Sequence, residues 1–219
     1  MEICYQDECG EVRTVNENWI RLSGLPEETY RTMRMHTLEP RQDVKGTLEA
    51  AIRSVADLVE GRMECPMVLL CSGPGMGKTH LAIAAGWMML SRGKSVAFWP
   101  TVKLLDALKD GYEQSQKPRD YRNGRTYENI MTWLQHVQLL ILDDIGMENR
   151  TGWSVEKLDQ IVDHRYLYKL PTLLTSNDLD FSARIVSRCK EGAIVLMTGT
   201  DYRGRKDAKS VAKQPKNAS

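Results

Sequence analysis

The chain has 219 residues, 42% of them hydrophobic and only eight of them proline, a composition that fits one packed domain with small appendages and excludes two full-sized domains. A formal net charge of +1 excludes a general attraction for nucleic acid, so any polyanion contact must come from local patches. No stretch approaches the roughly 18 uncharged apolar residues of a membrane span, and no apolar core follows a basic start at the N-terminus, so the expected location is the cytoplasm, with no membrane partner.

Residues 1–40 mix charges, aromatics and the turn "SGLPEETY" without a sustained period. They read as an N-terminal arm, a possible partner-binding segment, with a short helix after Pro26. Over 42–59, Val44, Leu48, Ala51, Ile52, Val55, Leu58 and Val59 recur at helical spacing and predict an amphipathic helix. Five short apolar runs follow: "MVLLC" from 67, "SVAFW" from 95, "VQLLILDD" from 137, "PTLLTSN" from 171 and "AIVLMTG" from 193. Helical stretches lie between them. That alternation predicts an α/β fold, a parallel five-stranded sheet sandwiched by helices. The core is set at 41–203, and the lysine-rich 204–219 reads as a disordered basic tail. Cys4, Cys9, Cys65, Cys71 and Cys189 lack the paired spacing of a zinc ribbon and read as reduced thiols.

The stretch "LLCSGPGMGKTHLA", 69–82, places glycines between a buried strand and a helix. A loop there can wrap its backbone N–H groups around a polyphosphate while the helix N-terminus adds partial positive charge. The phosphate loop comprises Gly73, Pro74, Gly75, Met76, Gly77, Lys78, Thr79 and His80, with Lys78 directed to the β- and γ-phosphates and the Thr79 hydroxyl to Mg²⁺. Ser72 stands where the G-x-x-x-x-G-K-[ST] pattern has its first glycine, and Gly73 beside it is expected to supply the flexibility. For His80, capping or packing is favoured over proton transfer. "VQLLILDDIG" ends a strand in two carboxylates, which puts Asp143 on the Mg²⁺ shell and Asp144 where it polarises a water. Alone, "LDD" reads as a strand followed by a solvated acidic turn; its place on a strand expected to neighbour the phosphate-loop strand favours ATP and Mg²⁺. "LPTLLTSND" brings Asn177 to the end of a strand beside the acidic one, near the γ-phosphate and the water.

Together these residues resemble the AAA+ P-loop ATPases, and within them the DnaC/DnaI-type loaders of the replicative helicase and the similar IstB transposition helpers. "SGPGMGKTHLA" resembles Walker A, "LLILDDIG" Walker B, "LPTLLTSN" sensor 1, and "SRC" at 187–189 the motif with an arginine finger. The resemblance implies an ATPase whose hydrolysis is slow and depends on oligomer and DNA, and self-association into a ring or spiral in the ATP state. It implies that Arg188 reaches a neighbouring subunit's ATP, with Arg184 as competitor and Arg165 facing the subunit boundary. The stretch after "LPTLLTSN" is too short for the helical lid of most AAA+ proteins, so a truncated or absent C-terminal lid is expected, with Arg203 the substitute for its second sensor.

The segment from 101 to 130 holds Lys109, Lys117, Arg119, Arg122 and Arg125 with Tyr121 and Tyr127. Two readings stand for it: cations interleaved with rings, as single-strand binding uses, or a solvated loop with charges of both signs. By the resemblance the segment contacts single-stranded DNA. The function expected is that of a loader binding a DnaB-type replicative helicase and single-stranded DNA during replication initiation. The alternatives are an IstB-like helper acting on duplex DNA and a stand-alone nucleotide-binding module.

Overall fold

The computed structural model describes residues 2–6, 12–38, 45–116 and 126–199. Lys117, Arg119, Arg122 and Arg125, the Arg203 site, the tail and the place where a lid would follow lie outside the described residues.

Strands β3 (Met67–Cys71), β4 (Val96–Pro100), β5 (Leu139–Ile145), β6 (Thr172–Ser176) and β7 (Ala193–Leu196) form one parallel sheet in the order β4-β5-β6-β3-β7. Side chains alternate across a strand, so each strand serves two cores. Val68, Leu70, Phe98, Ile141 and Leu173 face α2 (Lys45–Glu60) and α3 (Lys78–Ser91). Met67, Leu69, Leu140, Leu142 and Leu174 face α4 (Thr101–Ser115), α5 (Tyr127–His136), α6 (Gly152–Leu167) and α7 (Ala183–Glu191). Burial on both faces is why the strands read as unbroken apolar runs rather than alternating ones. The α2 stripe Leu48, Ala51, Val55, Leu58 and Val59 is buried, as its spacing predicts.

Two features depart from expectation. The acidic strand β5 is not the neighbour of the phosphate-loop strand β3; β6 lies between them and pairs with both. The N-terminal segment is more structured than an aperiodic reading allows. An antiparallel hairpin of β1 (Glu2–Gln6) and β2 (Val12–Asn16) leads into α1 (Glu17–Ser23) and a 3-10 turn at Glu27–Arg31. Ile20, Leu25, Met35 and Leu38 are buried against the α3 side of the sheet. Their irregular spacing reflects elements too short to show a period. Gly24 lies at φ 73°, and an added Cβ there would come 2.6 Å from the Phe98 carbonyl oxygen on β4. The segment is therefore seated at close range.

Candidate nucleotide-binding site

Beyond Cys71 the chain turns through Ser72–Gly77 into α3 at the C-terminal edge of the sheet, where open α/β folds bind ligands. Gly75 and Gly77 adopt φ 73° and 89°, a left-handed region that side chains resist. Gly73 does not: its φ is ordinary and an added Cβ would meet nothing within 4 Å, so the flexibility expected of it is not used. Ser72 instead ties the loop down, donating its N–H to the Ser176 carbonyl at 3.2 Å. Gly77 caps α3 without a side-chain hydrogen bond, which leaves the first-turn N–H groups facing the loop. Gly73 and Pro74 are exposed, whereas Met76 is buried. The His80 ring reaches the Arg34 carbonyl (2.7 Å) and the Thr37 hydroxyl (3.2 Å), so its side chain holds the N-terminal segment to α3.

Lys78 is buried, and its Nζ donates to Ser72 O (2.7 Å), Ser72 Oγ (3.2 Å), Gly73 O (3.0 Å) and Asn177 Oδ1 (3.0 Å). The phosphate-loop cation and the strand-end amide of β6 thus meet directly. Asp143 is also buried, and accepts from Thr79 Oγ1 at 3.1 Å and Thr175 Oγ1 at 2.7 Å. Burial pushes its carboxyl above the ordinary value, a rise opposed by the Thr175 and Thr79 hydroxyls and by Lys78. The Asp143 main-chain oxygen accepts from Thr101, which fixes the end of β5 against α4. Asp144 is exposed at φ 56°, in the register shift between Leu142 and Ile145, and donates its N–H to Thr175 Oγ1 at 2.9 Å. A non-glycine residue held there stores strain, a feature concentrated at functional sites. Thr175 bridges both aspartates, a role that sequence reasoning left unassigned; its place on the strand beside "LDD" was the available signal.

These groups fit a magnesium-bound triphosphate. The loop offers backbone donors and a buried ammonium, and a carboxylate with a hydroxyl makes the hard oxygen set that Mg²⁺ prefers. Among the described residues no cluster of His, Cys, Asp or Glu makes an all-protein metal cage. A metal at Asp143 and Thr79 would therefore complete its shell with phosphate oxygens.

A sequence profile of the family described as "IstB-like ATP binding protein" matches residues 15–183. The chain belongs to the IstB-like ATP-binding protein family. It is 31% identical over 140 residues to the replicative helicase loader DnaC of Escherichia coli (strain K12), covering 60% of this chain and 54% of that protein. It spans about half the length of the curated relatives it matches. The crystal structure of the DnaC helicase loader aligns with a TM-score of 0.60 at 20% identity, over 79% of this chain and 100% of that one. The replication initiator DnaA bound to AMPPCP and single-stranded DNA aligns at 0.65 and 19% identity, over 89% and 58%. The fold is that of the AAA+ P-loop NTPases.

Elsewhere in this IstB-like protein, Arg188 occupies the last turn of α7. Gly192, which caps that helix, abuts the carbonyls of Cys65 and Met67 at the start of β3. Arg188 therefore lies toward the sheet edge opposite its own phosphate loop. Its Nε pairs with Asp163 at 3.3 Å, and Arg184 Nη2 pairs with the same carboxylate at 2.6 Å. The expectation that Arg165 faces a subunit boundary is wrong: it is fully buried. Its guanidinium donates to the carbonyls of Leu134, Val137 and Pro171 and to the Thr172 hydroxyl, and burial pulls its pKa down to about 9. Arg165 continues the stripe of Leu158, Ile161 and Val162, the spacing that marks an inward position.

Lys109 is exposed on α4 with its Nζ 5.5 Å from the centre of the Trp153 ring. Lys157 sits 5.6 Å over Tyr127, whose ring meets Tyr112 edge-on at 6.4 Å. Sequence reasoning missed Trp153 and Lys157, because their pairing across helices leaves no mark on local spacing. Among the described residues no helix is long and apolar enough to cross a membrane.

Proposed function

We propose that this protein is an ATP-dependent helicase loader, binding a DnaB-type replicative helicase and single-stranded DNA, with ATP hydrolysis that is slow until subunits assemble. The observation that carries the reading is the convergence of Lys78, Thr79, Asp143 and Asn177 at the ends of β3, β5 and β6. The identity with a protein named as a replicative helicase loader supports the choice of partner.

In this reading the backbone N–H groups of Gly73 and of 75–80 and the Lys78 ammonium hold the phosphates of ATP, and Lys78 exchanges its loop and Asn177 contacts for them. Thr79 and Asp143 hold Mg²⁺, which when bound neutralises charge on the β- and γ-oxygens. Asp144 orients the attacking water, with the Asn177 amide beside it. Arg188 of a neighbouring subunit stabilises charge on the phosphoryl group in flight, a contribution on the order of 10³ or more when supplied in trans. Arg203 stands in for a second sensor. Lys109, Lys117, Arg119, Arg122 and Arg125 contact the DNA phosphates, and the pairing of Lys109 and Lys157 with aromatic rings supports a strand-facing surface there.

The family match itself favours a second reading, an IstB-like helper acting on duplex DNA. Gel filtration of the ATP-loaded protein with the DnaB-type helicase of its source cell decides between them, alongside anisotropy titrations of single-stranded and duplex oligonucleotides. Co-elution with the helicase and preference for single strands is the expected result. Absence of a complex together with duplex preference would replace the loader by the helper.

A further inference from the structure

We infer that Asp163, together with the ring of Tyr166, is the positioning device that aims Arg188 at a neighbouring subunit. This rests on the reading of Arg188 as the trans-acting arginine.

Asp163 and Tyr166 stand three residues apart on α6, and Arg184 and Arg188 four apart on the facing α7, so each pair lies on one helical face. The Asp163 carboxylate divides its oxygens: Oδ1 accepts from Arg188 Nε at 3.3 Å, and Oδ2 pairs with Arg184 Nη2 at 2.6 Å. The Arg188 guanidinium lies 4.3 Å from the centre of the Tyr166 ring. The Tyr166 hydroxyl donates to Glu191, which fixes the ring from its far end. Among the described residues, Nη1 and Nη2 of Arg188 have no hydrogen-bond partner.

That combination is specific. A planar guanidinium that seeks a surface ion pair commonly presents its two terminal nitrogens to a carboxylate. Here the carboxylate takes the inner nitrogen, an aromatic face supports the plane, and the outer fork is left for an incoming anion. Arg184 holds the second carboxylate oxygen, so the Asp163 carboxylate has less freedom to rotate onto the fork. An arginine anchored at its base loses less rotamer freedom on meeting a phosphate than a loose one, and pre-ordering of this kind is a recognised source of rate. Asp163 does not touch substrate and acts only through Arg188.

Mixed-subunit ATP turnover tests this. Lys78→Ala subunits still donate Arg188, and Arg188→Ala subunits still offer an intact phosphate loop, so an equimolar mixture with saturating Mg·ATP regains turnover that neither variant shows alone. Adding Asp163→Ala to the Lys78→Ala subunit is expected to lower that regained kcat roughly tenfold or more with the KM for ATP little changed. Adding it to the Arg188→Ala subunit is expected to change nothing, because no arginine remains there to aim. Equal loss from both placements, repeated with the shape-conserving Asp163→Asn, would show a role in folding and overturn the inference, as would no loss from either. If the parent mixture regains nothing, the trans reading of Arg188 falls and takes this inference with it.

Discussion

Asp143 is held buried by two threonine hydroxyls, and its charge works against the fold that holds it. Its carboxyl titrates above its unfolded value, chiefly through desolvation, so the folded state binds the proton more tightly and stability falls as pH rises through the folded-state pKa. Asp143→Asn is expected to raise the Tm of the nucleotide-free protein at pH 7; a gain of about 1 kcal/mol corresponds to roughly 2–4 °C at this size. The gain should vanish at low pH, where the wild-type carboxyl is neutral in both states. The same variant should lose Mg·ATP turnover. A lower Tm at pH 7 would contradict this account of the site. Arg165 gives the opposite case, a buried cation whose four partners are three carbonyls and a hydroxyl. Arg165→Met strands those carbonyls and is expected to cost about 3–5 kcal/mol, read as a lower urea midpoint with unchanged m-value. An interface residue would instead leave the monomer's midpoint alone.

Between residue and fold, the informative element is the segment 18–38. Leu38 packs within 3.1 Å of where a Gly77 Cβ would sit, His80 bonds to the Arg34 carbonyl, and Trp87 donates to Thr29. The phosphate loop and α3 therefore have the N-terminal segment for a wall. Gly24 is its tightest point, left-handed and against the Phe98 carbonyl. Gly24→Ala is expected to destabilise by about 1–3 kcal/mol and to expose bonds in 18–38 to limited proteolysis before the rest of the chain. Uniform resistance to protease would mean that the segment is not seated as described. Sequence reasoning reached α2 and the parallel strands because sixteen-residue amphipathy and unbroken apolar runs are signals a single element carries. It did not reach the N-terminal docking, where Ile20, Leu25 and Leu38 come from three short pieces, nor the order that puts β6 between β3 and β5. Pairing partners are chosen by crossovers, not by the strands alone. At the site, the meeting of Lys78, Thr79, Asp143 and Asn177 was legible because each lies near the C-terminal end of a buried strand or begins the helix after one. Thr175 and Asp163 were not, since their significance lies in what they hold.

For the molecule as a whole, the two ends of the sheet carry different halves of one proposed reaction. The C-terminal edge gathers the phosphate loop, the aspartates and Asn177; α7 carries Arg188 toward the other edge. If Arg188 acts in trans as proposed, assembly and turnover are expected to rise together, with ATP favouring the assembled state through its contacts at the subunit boundary. All of this depends on triphosphate seating at Lys78. Isothermal titration calorimetry of the purified protein with Mg·ATP, beside Lys78→Ala, is the direct measurement. The account predicts saturable binding near one ATP per chain for the wild type and none detectable for the variant. Equal binding by both, or none by either, would contradict it.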